Sequence, residues 1–334
     1  MRFLSLSLFA VLWFCQAWTS YAQSAIVRPA SPISLLGISD SNSPMHWNAK
    51  GKLVIFQSDG MPIRSEGPSL TEQGQVRAAR FYSYEHTPMW IEATWVSPEG
   101  TIYAWYHHEQ FLHCDSLPLS QPVIGALRSD DDGLTFHDLG IVLSPAEEPN
   151  CNAQNGYFAG GHGDFSVIAD PNGEYLYFVF SNYSGPPERQ GVAVARMAIA
   201  DRDNPIGFVY KFFNSAWESP GLGGELTPVY AVSTGWGEYD TNALWGPAIH
   251  WNVHLNKYVI LMNHACCTPG WPQEGLYVAY AAELADPSTW TQPQKLLDGV
   301  GWYPMVVGHT DKIAGQTARL FTGSISSWEI EFLP

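Results

Sequence analysis

From residue 43 onward, apolar and polar positions fall into one recurring arrangement: a β-rich apolar run, a polar turn, and a second β-rich run. It occurs as "SPMHWNAKGKLVIFQSDG" (43–60), "MWIEATWVSPEGTIYAWYHHE" (89–109), "GHGDFSVIADPNGEYLYFVFSNYSG" (161–185), "WGPAIHWNVHLNKYVILMNHA" (245–265) and "WYPMVVGHTDKIAGQTARLFTG" (302–323). In the third, alternation and β-formers mark strands at Phe165–Ala169 and Tyr175–Ser181, and Asp170-Pro171-Asn172-Gly173 between them is turn chemistry. Further strand candidates follow three of the hairpins, in "VIGALRSDDDGLTFHDLGIVL", "GVAVARMAIADRDNPIGFVYKFF" and "GLYVAYAAELADPSTWTQPQKLL". No segment carries a sustained helical period with caps.

Five such units, starting roughly 45–85 residues apart, predict an all-β fold: a five-bladed β-propeller with four-stranded antiparallel blades. A two-sheet sandwich is the main rival, but it rarely needs five near-equivalent units. The last unit is a strand short, and the segment 31–40 ("SPISLLGISD") is expected to complete it and close the ring. If each inner strand starts at the ligand-binding mouth, its first turn lies on the opposite face. The long loops 107–121, 145–164, 182–190, 217–245 and 263–275 then gather at the mouth, where function is expected to sit.

The first 22 residues read as a secretory leader: a basic start, a short apolar run and small residues at Ser20 and Ala22. Residues 23–334 are then expected to form one propeller domain, secreted or periplasmic, with no membrane insertion after cleavage. A formal charge of −16 argues against nucleic acid or an anionic membrane surface as partner and favours a saccharide that is neutral or mildly acidic. Outside the leader stand Cys114, Cys151, Cys266 and Cys267, an even number suited to an oxidising compartment. Pairing of Cys114 with Cys151 and of the adjacent Cys266 with Cys267 is one arrangement; crossed pairs or free thiols are the others. None of these spacings suits a structural zinc site.

The repeats resemble those of the five-bladed glycoside hydrolases of families 43 and 32. "GDFSVIADPNGEYLYFVFS" is similar to their central aspartate motif, which implies that Asp164 orients and tunes the general acid. "ISDSNSPMHW" falls where their general base lies, which implies that role for Asp40. Their general acid is a glutamate just before Gly-Pro on the fourth inner strand; "LWGPAIHW" has Trp245 there instead. Glu225 in "GLGGELTPVY", or Glu238 and Asp240 in "GWGEYDTNALW", is then the source of the proton; otherwise the protein binds sugar without cutting it. "SDDDGLTF" (129–136) matches the Asp-box of sialidases, read as a hairpin device in which Asp131 and Thr135 tie the turn. Sialidase activity is rejected, because an arginine cluster for the substrate carboxylate is missing from the mouth loops, where Arg189 stands out alone.

Glycoside hydrolysis needs two carboxyl groups whose pKa values are driven apart. Asp164, with two glycines close before it and an apolar strand behind it, has the burial this demands, although capping its own strand is the alternative. Glu225 and Asp40 complete the catalytic candidates. In "YHHEQFLHC", His107 and Glu109 share one side of a strand and His108 faces the other. With His162 and His264 they form candidates for sugar hydroxyls or for a divalent metal such as calcium, giving a metal-assisted lyase or hydrolase as a further alternative. No cofactor is otherwise expected. Trp90, Tyr157, Trp236, Trp245, Trp271, Trp302 and Tyr303 are expected near the mouth, suited to stacking on sugar C–H faces or to packing between blades.

Overall fold

The computed structural model describes residues 24–112, 114 and 118–334; the expected leader, residues 1–22, lies outside them. Five antiparallel sheets form a five-bladed β-propeller. Their inner strands are Met45–Trp47, Met89–Val96, His162–Ala169, Ala243–Asn252 and Pro304–Val307, one from each of the five repeated hairpins. Four strands make up the body of most blades. The third adds Ala216–Pro220 at its outer edge, and short strands at Arg80–Phe81 and Ile313–Ala314 pair in parallel with blades two and four.

The physical reason for the repeat is visible in the core. Each sheet is apolar on both faces, so its two surfaces must be covered by the sheets on either side. Five clusters of buried side chains accordingly lie between successive blades. Trp105, Phe165 and Phe178 fill the space between blades two and three, for example, and Met45, Ile55, Met305 and Phe321 that between five and one.

Ring closure differs in register from the expectation. The outer strand of blade five is Ser24–Ser34, paired antiparallel with Ile325–Leu333 from Ser24 opposite Leu333 to Ser34 opposite Ile325. Only residues 31–34 of the anticipated segment belong to it. Residues 35–40 instead turn inward, carrying Leu35 into the core between blades five and one and Asp40 to the mouth. Prolines at 29 and 32 did not disqualify the strand because it is an edge, where one ladder donor can be spared.

The Asp-box acts as its sequence implied. The Asp131 carboxylate accepts from Leu134 N–H at 3.1 Å, Thr135 N–H at 2.8 Å, the Thr135 hydroxyl at 2.6 Å and the Ser129 hydroxyl at 2.9 Å. We expect Asp131→Ala to cost about 1–2 kcal/mol, seen as a lower Tm, with no change in the mouth. Cys114 is bonded to Cys151, and Cys266 to Cys267. Among the described residues no helix is long and apolar enough to cross a membrane.

Candidate active site at the mouth of the propeller

Asp164 stands at a β-bulge. The register of His162–Ala169 against Tyr175–Asn182 slips between Gly163 and Phe165, and Asp164 takes a left-handed backbone with φ of 44°. A bulge re-aims one side chain out of the strand's alternation, here toward the axis of the ring. The backbone after it is held by neighbouring blades: Phe165 N–H donates to Glu92 Oε2 at 3.0 Å, and Phe165 O accepts from Asn42 Nδ2 at 3.1 Å. Bulges recur at the same place in blades two and four, between Ile91 and Ala93 and between Trp245 and Ala248. Glu92 occupies the first of these, and Trp245 borders the second.

The bulges of blades three and four bring Asp164 and Trp245 to a pocket of 70 Å³ that is also lined by Asp40, Glu109, Tyr157, Phe158, Trp271, Trp302 and Tyr303. Seven non-glycine residues among those described have positive φ, and three of them, Asp164, Trp271 and Tyr303, line this one pocket. The other four, Asp132, Asn214, Ser215 and Asn256, are of types that turns favour. Left-handed Trp and Tyr are costly, and they persist only where the surrounding structure over-determines them, as it does at binding and catalytic sites. Behind the wall, Trp236 packs on Trp271 with ring centroids 4.5 Å apart, and Tyr183 lies edge-on to Trp236 at 5.0 Å.

Asp164 is buried, and the Tyr183 hydroxyl donates to its Oδ2. Its pKa is raised, first by burial and then by the Glu92 charge, against the opposing pull of His107 and Tyr183. Asp40 hangs from the loop before blade one, where its N–H donates to Ser58 O at 2.8 Å. The pocket walls desolvate its carboxyl and lift it to about 6, with Tyr303 pulling down and Asp59 pushing up. Glu109 accepts from the Ser120 hydroxyl at 2.9 Å.

Beneath them lies a buried cluster. His107 Nδ1 is 3.2 Å from Glu92 Oε1 and its Nε2 is 3.7 Å from Glu109 Oε1. Burial alone would push this imidazole down; the hydrogen bond to Glu92 and the charges of Asp164, Glu92 and Glu109 outweigh it and hold it at about 9. Burial likewise raises the Glu92 carboxyl. One imidazolium therefore faces four carboxyl groups, so the cluster retains protons on carboxyl oxygens near neutral pH. Ligand atoms of Glu92, His107 and Asp164 all lie within 4.8 Å of one another, close enough for a cation to share. A cation there would have to displace the proton that makes His107 a donor.

The sequence candidates thus divide. Asp40, Glu109, Asp164, Trp245, Trp271 and Tyr303 meet in the pocket, with His107 directly beneath and Trp90 packed on His107 at 5.4 Å between ring centroids. Glu225 does not reach it. It is tied to Arg189 at 2.6 Å and borders a separate groove with Phe213 and Glu218, because its loop folds back on the outer strands of blade three. His108 faces away from His107, as strand alternation requires, and bonds Pro88 O at 2.9 Å. His162 is buried at the edge of blade three, where burial and Lys211 keep it neutral. His264 spans Glu274 at 2.8 Å and Asn242 at 3.0 Å on the rim of blade four.

Glu92, Phe158 and Tyr183 were not anticipated. Glu92 carried a signal nonetheless: it is the lone charge in "MWIEATWV", placed in the second repeat as Asp164 is in the third.

No protein-family model matches the sequence, and no curated protein does. Solved structures match in fold. An endo-arabinase from Bacteroides thetaiotaomicron VPI-5482 aligns over 92% of this chain and 98% of its own, at 14% identity and a TM-score of 0.52. An α-L-arabinofuranosidase from Lactobacillus brevis aligns over 88% and 90%, at 10% identity and 0.51. Against an exo-β-1,3-galactanase from Phanerochaete chrysosporium, 93% of this chain spans only 64% of the other, at 12% identity and 0.49. The chain therefore shares its scaffold, a five-bladed propeller, with solved glycoside hydrolases.

Proposed function

We propose that the protein is an exported glycoside hydrolase that cleaves a neutral or mildly acidic saccharide in the mouth pocket. The observation that carries this reading is the convergence of two carboxyl groups with raised pKa, Asp164 and Asp40, on one aromatic-walled pocket whose backbone is left-handed at three of its lining residues. Asp164, buried and pushed toward its protonated form, is the proton donor to the departing oxygen. Asp40, ionised above about pH 6, is the base or nucleophile on the other side of the bond. Glu109 accepts hydrogen bonds from sugar hydroxyls, and Trp245, Trp271 and Trp302 offer faces and edges for sugar C–H groups. Export is supported by the leader-like start and by the two disulfides, which persist in oxidising compartments.

The test is a screen of polysaccharides and nitrophenyl glycosides, led by arabinans and arabinosides because an endo-arabinase and an arabinofuranosidase share the scaffold. Turnover that is lost in both Asp164→Asn and Asp40→Asn supports the proposal. Saccharide binding without turnover of any substrate supports a second reading, a non-catalytic carbohydrate-binding propeller, which Trp245 at the mouth end of blade four favours.

The pH profile tests the roles. Activity should rise with pH as Asp40 ionises near 6 and fall again as Asp164 loses its proton. Because the Asp59 charge raises Asp40, Asp59→Asn should move the rising limb to lower pH. A limb that stays in place removes Asp40 from that step.

A further inference from the structure

The inner strands that begin at the mouth end at a second cavity on the opposite face. It measures 320 Å³ and is walled by Trp95, Ile168, Trp251, Tyr258 and Ile313, with Lys312 as its one charged member. The size falls in the range of small-molecule sites, and the wall is almost wholly apolar, as such sites are. We propose that this cavity binds a compact, neutral aromatic or alicyclic molecule bearing a single oxygen acceptor, independently of the chemistry at the mouth.

The polar complement fixes the class. Lys312 Nζ donates to the Ser166 hydroxyl at 2.8 Å and pairs with Asp311 Oδ2 at 3.0 Å, and Asp311 Oδ1 accepts Met45 N–H at 3.0 Å. An ammonium has three protons, so one remains for an acceptor within the cavity that Lys312 lines. Asp311 balances the lysine charge, so the cavity has no surplus positive charge for an anion. A sugar carries a hydroxyl on most of its carbons and would leave nearly all of them unpaired against this wall, at a cost in desolvation. A ring system with one carbonyl, ester or hydroxyl oxygen meets both demands: its faces cover Trp95, Trp251 and Tyr258, and its oxygen takes the third ammonium proton.

Coumarin, a neutral fused bicyclic lactone, is the probe, and titration calorimetry with tryptophan fluorescence on the full chain is the readout. We expect one site with a Kd below about 1 mM. Ile313→Trp, which fills the cavity from its exposed edge without touching the Lys312 network, should weaken binding at least about tenfold. Lys312→Met should bring coumarin down to the affinity of naphthalene, which has the rings but no acceptor. Trp302→Ala, at the mouth, should leave coumarin binding unchanged. The proposal is overturned if coumarin fails to saturate, if Trp302→Ala rather than Ile313→Trp removes it, or if 1-naphthoate or galactose binds this cavity more tightly than coumarin does.

Discussion

Replacing Asp164 by asparagine should lower kcat by about 10²–10⁴-fold while leaving the fold and saccharide binding intact, if the carboxyl group transfers the proton. Asparagine is a demanding control here. It tolerates the left-handed backbone that Asp164 adopts, so the bulge has no reason to collapse. Its side-chain oxygen can still accept from the Tyr183 hydroxyl, so the aromatic wall keeps its anchor. What is lost is the proton and the capacity for charge. Alanine would be less informative, since it would orphan the Tyr183 hydroxyl inside the wall and mix a structural loss with a chemical one. The measurement is kcat on the best substrate of the screen, with calorimetric affinity for its product in parallel. A loss of binding equal to the loss of turnover would assign Asp164 to substrate positioning, and undiminished turnover would exclude it from the reaction.

The reason Asp164 could be found in the sequence also explains why other residues could not. An aspartate within "GHGDFSVIA" interrupts an otherwise β-prone run, and two of the glycines before it, Gly160 and Gly161, take the positive φ that lets the chain enter the strand. Charge inside an apolar period is legible without coordinates. The five units were legible for the same reason, because every sheet here is covered on both sides and its apolar runs are long. Bulges were not legible, since each depends on which residues of the partner strand pair. Hence Glu92 was passed over although it stands as deep as Asp164: its charge shows in "MWIEATWV", but the bulge that turns it toward His107 does not. Loop trajectories were equally opaque. Glu225 follows two glycines on a loop expected at the mouth, but an ion pair to Arg189 on a neighbouring loop holds it over an outer groove. The histidines failed differently. His108, His162 and His264 all have local partners, and hydrogen-bonded histidines at the ends of strands do not differ in sequence from those that face a ligand.

The buried pair under the pocket should dominate stability as well as chemistry. Glu92 uses both oxygens, one toward His107 Nδ1 at 3.2 Å and one on Phe165 N–H at 3.0 Å. Glutamine at 92 has a single acceptor oxygen, so one of those donors would face an amide N–H, and His107 would lose the partner that keeps it charged. Breaking a buried pair of this kind costs about 3–5 kcal/mol. The pH dependence gives the sharper test. The folded state holds His107 at about 9 against an ordinary value of 6.5, so it retains a proton that the unfolded chain has released. That stabilisation is fully present below about pH 6.5 and is lost as pH rises through about 9, and it amounts to roughly 3 kcal/mol. Urea unfolding at pH 6 and pH 9 should therefore show the native protein weakening across this interval, with Asp40 and Asp164, whose folded pKa values are also raised, adding their losses at lower pH. In Glu92→Gln the loss between pH 6.5 and 9 should shrink, because His107 no longer gains a proton on folding. An undiminished slope in that variant would mean that Glu92 is not what keeps His107 charged, and the proton-rich cluster proposed beneath Asp164 would lose its foundation.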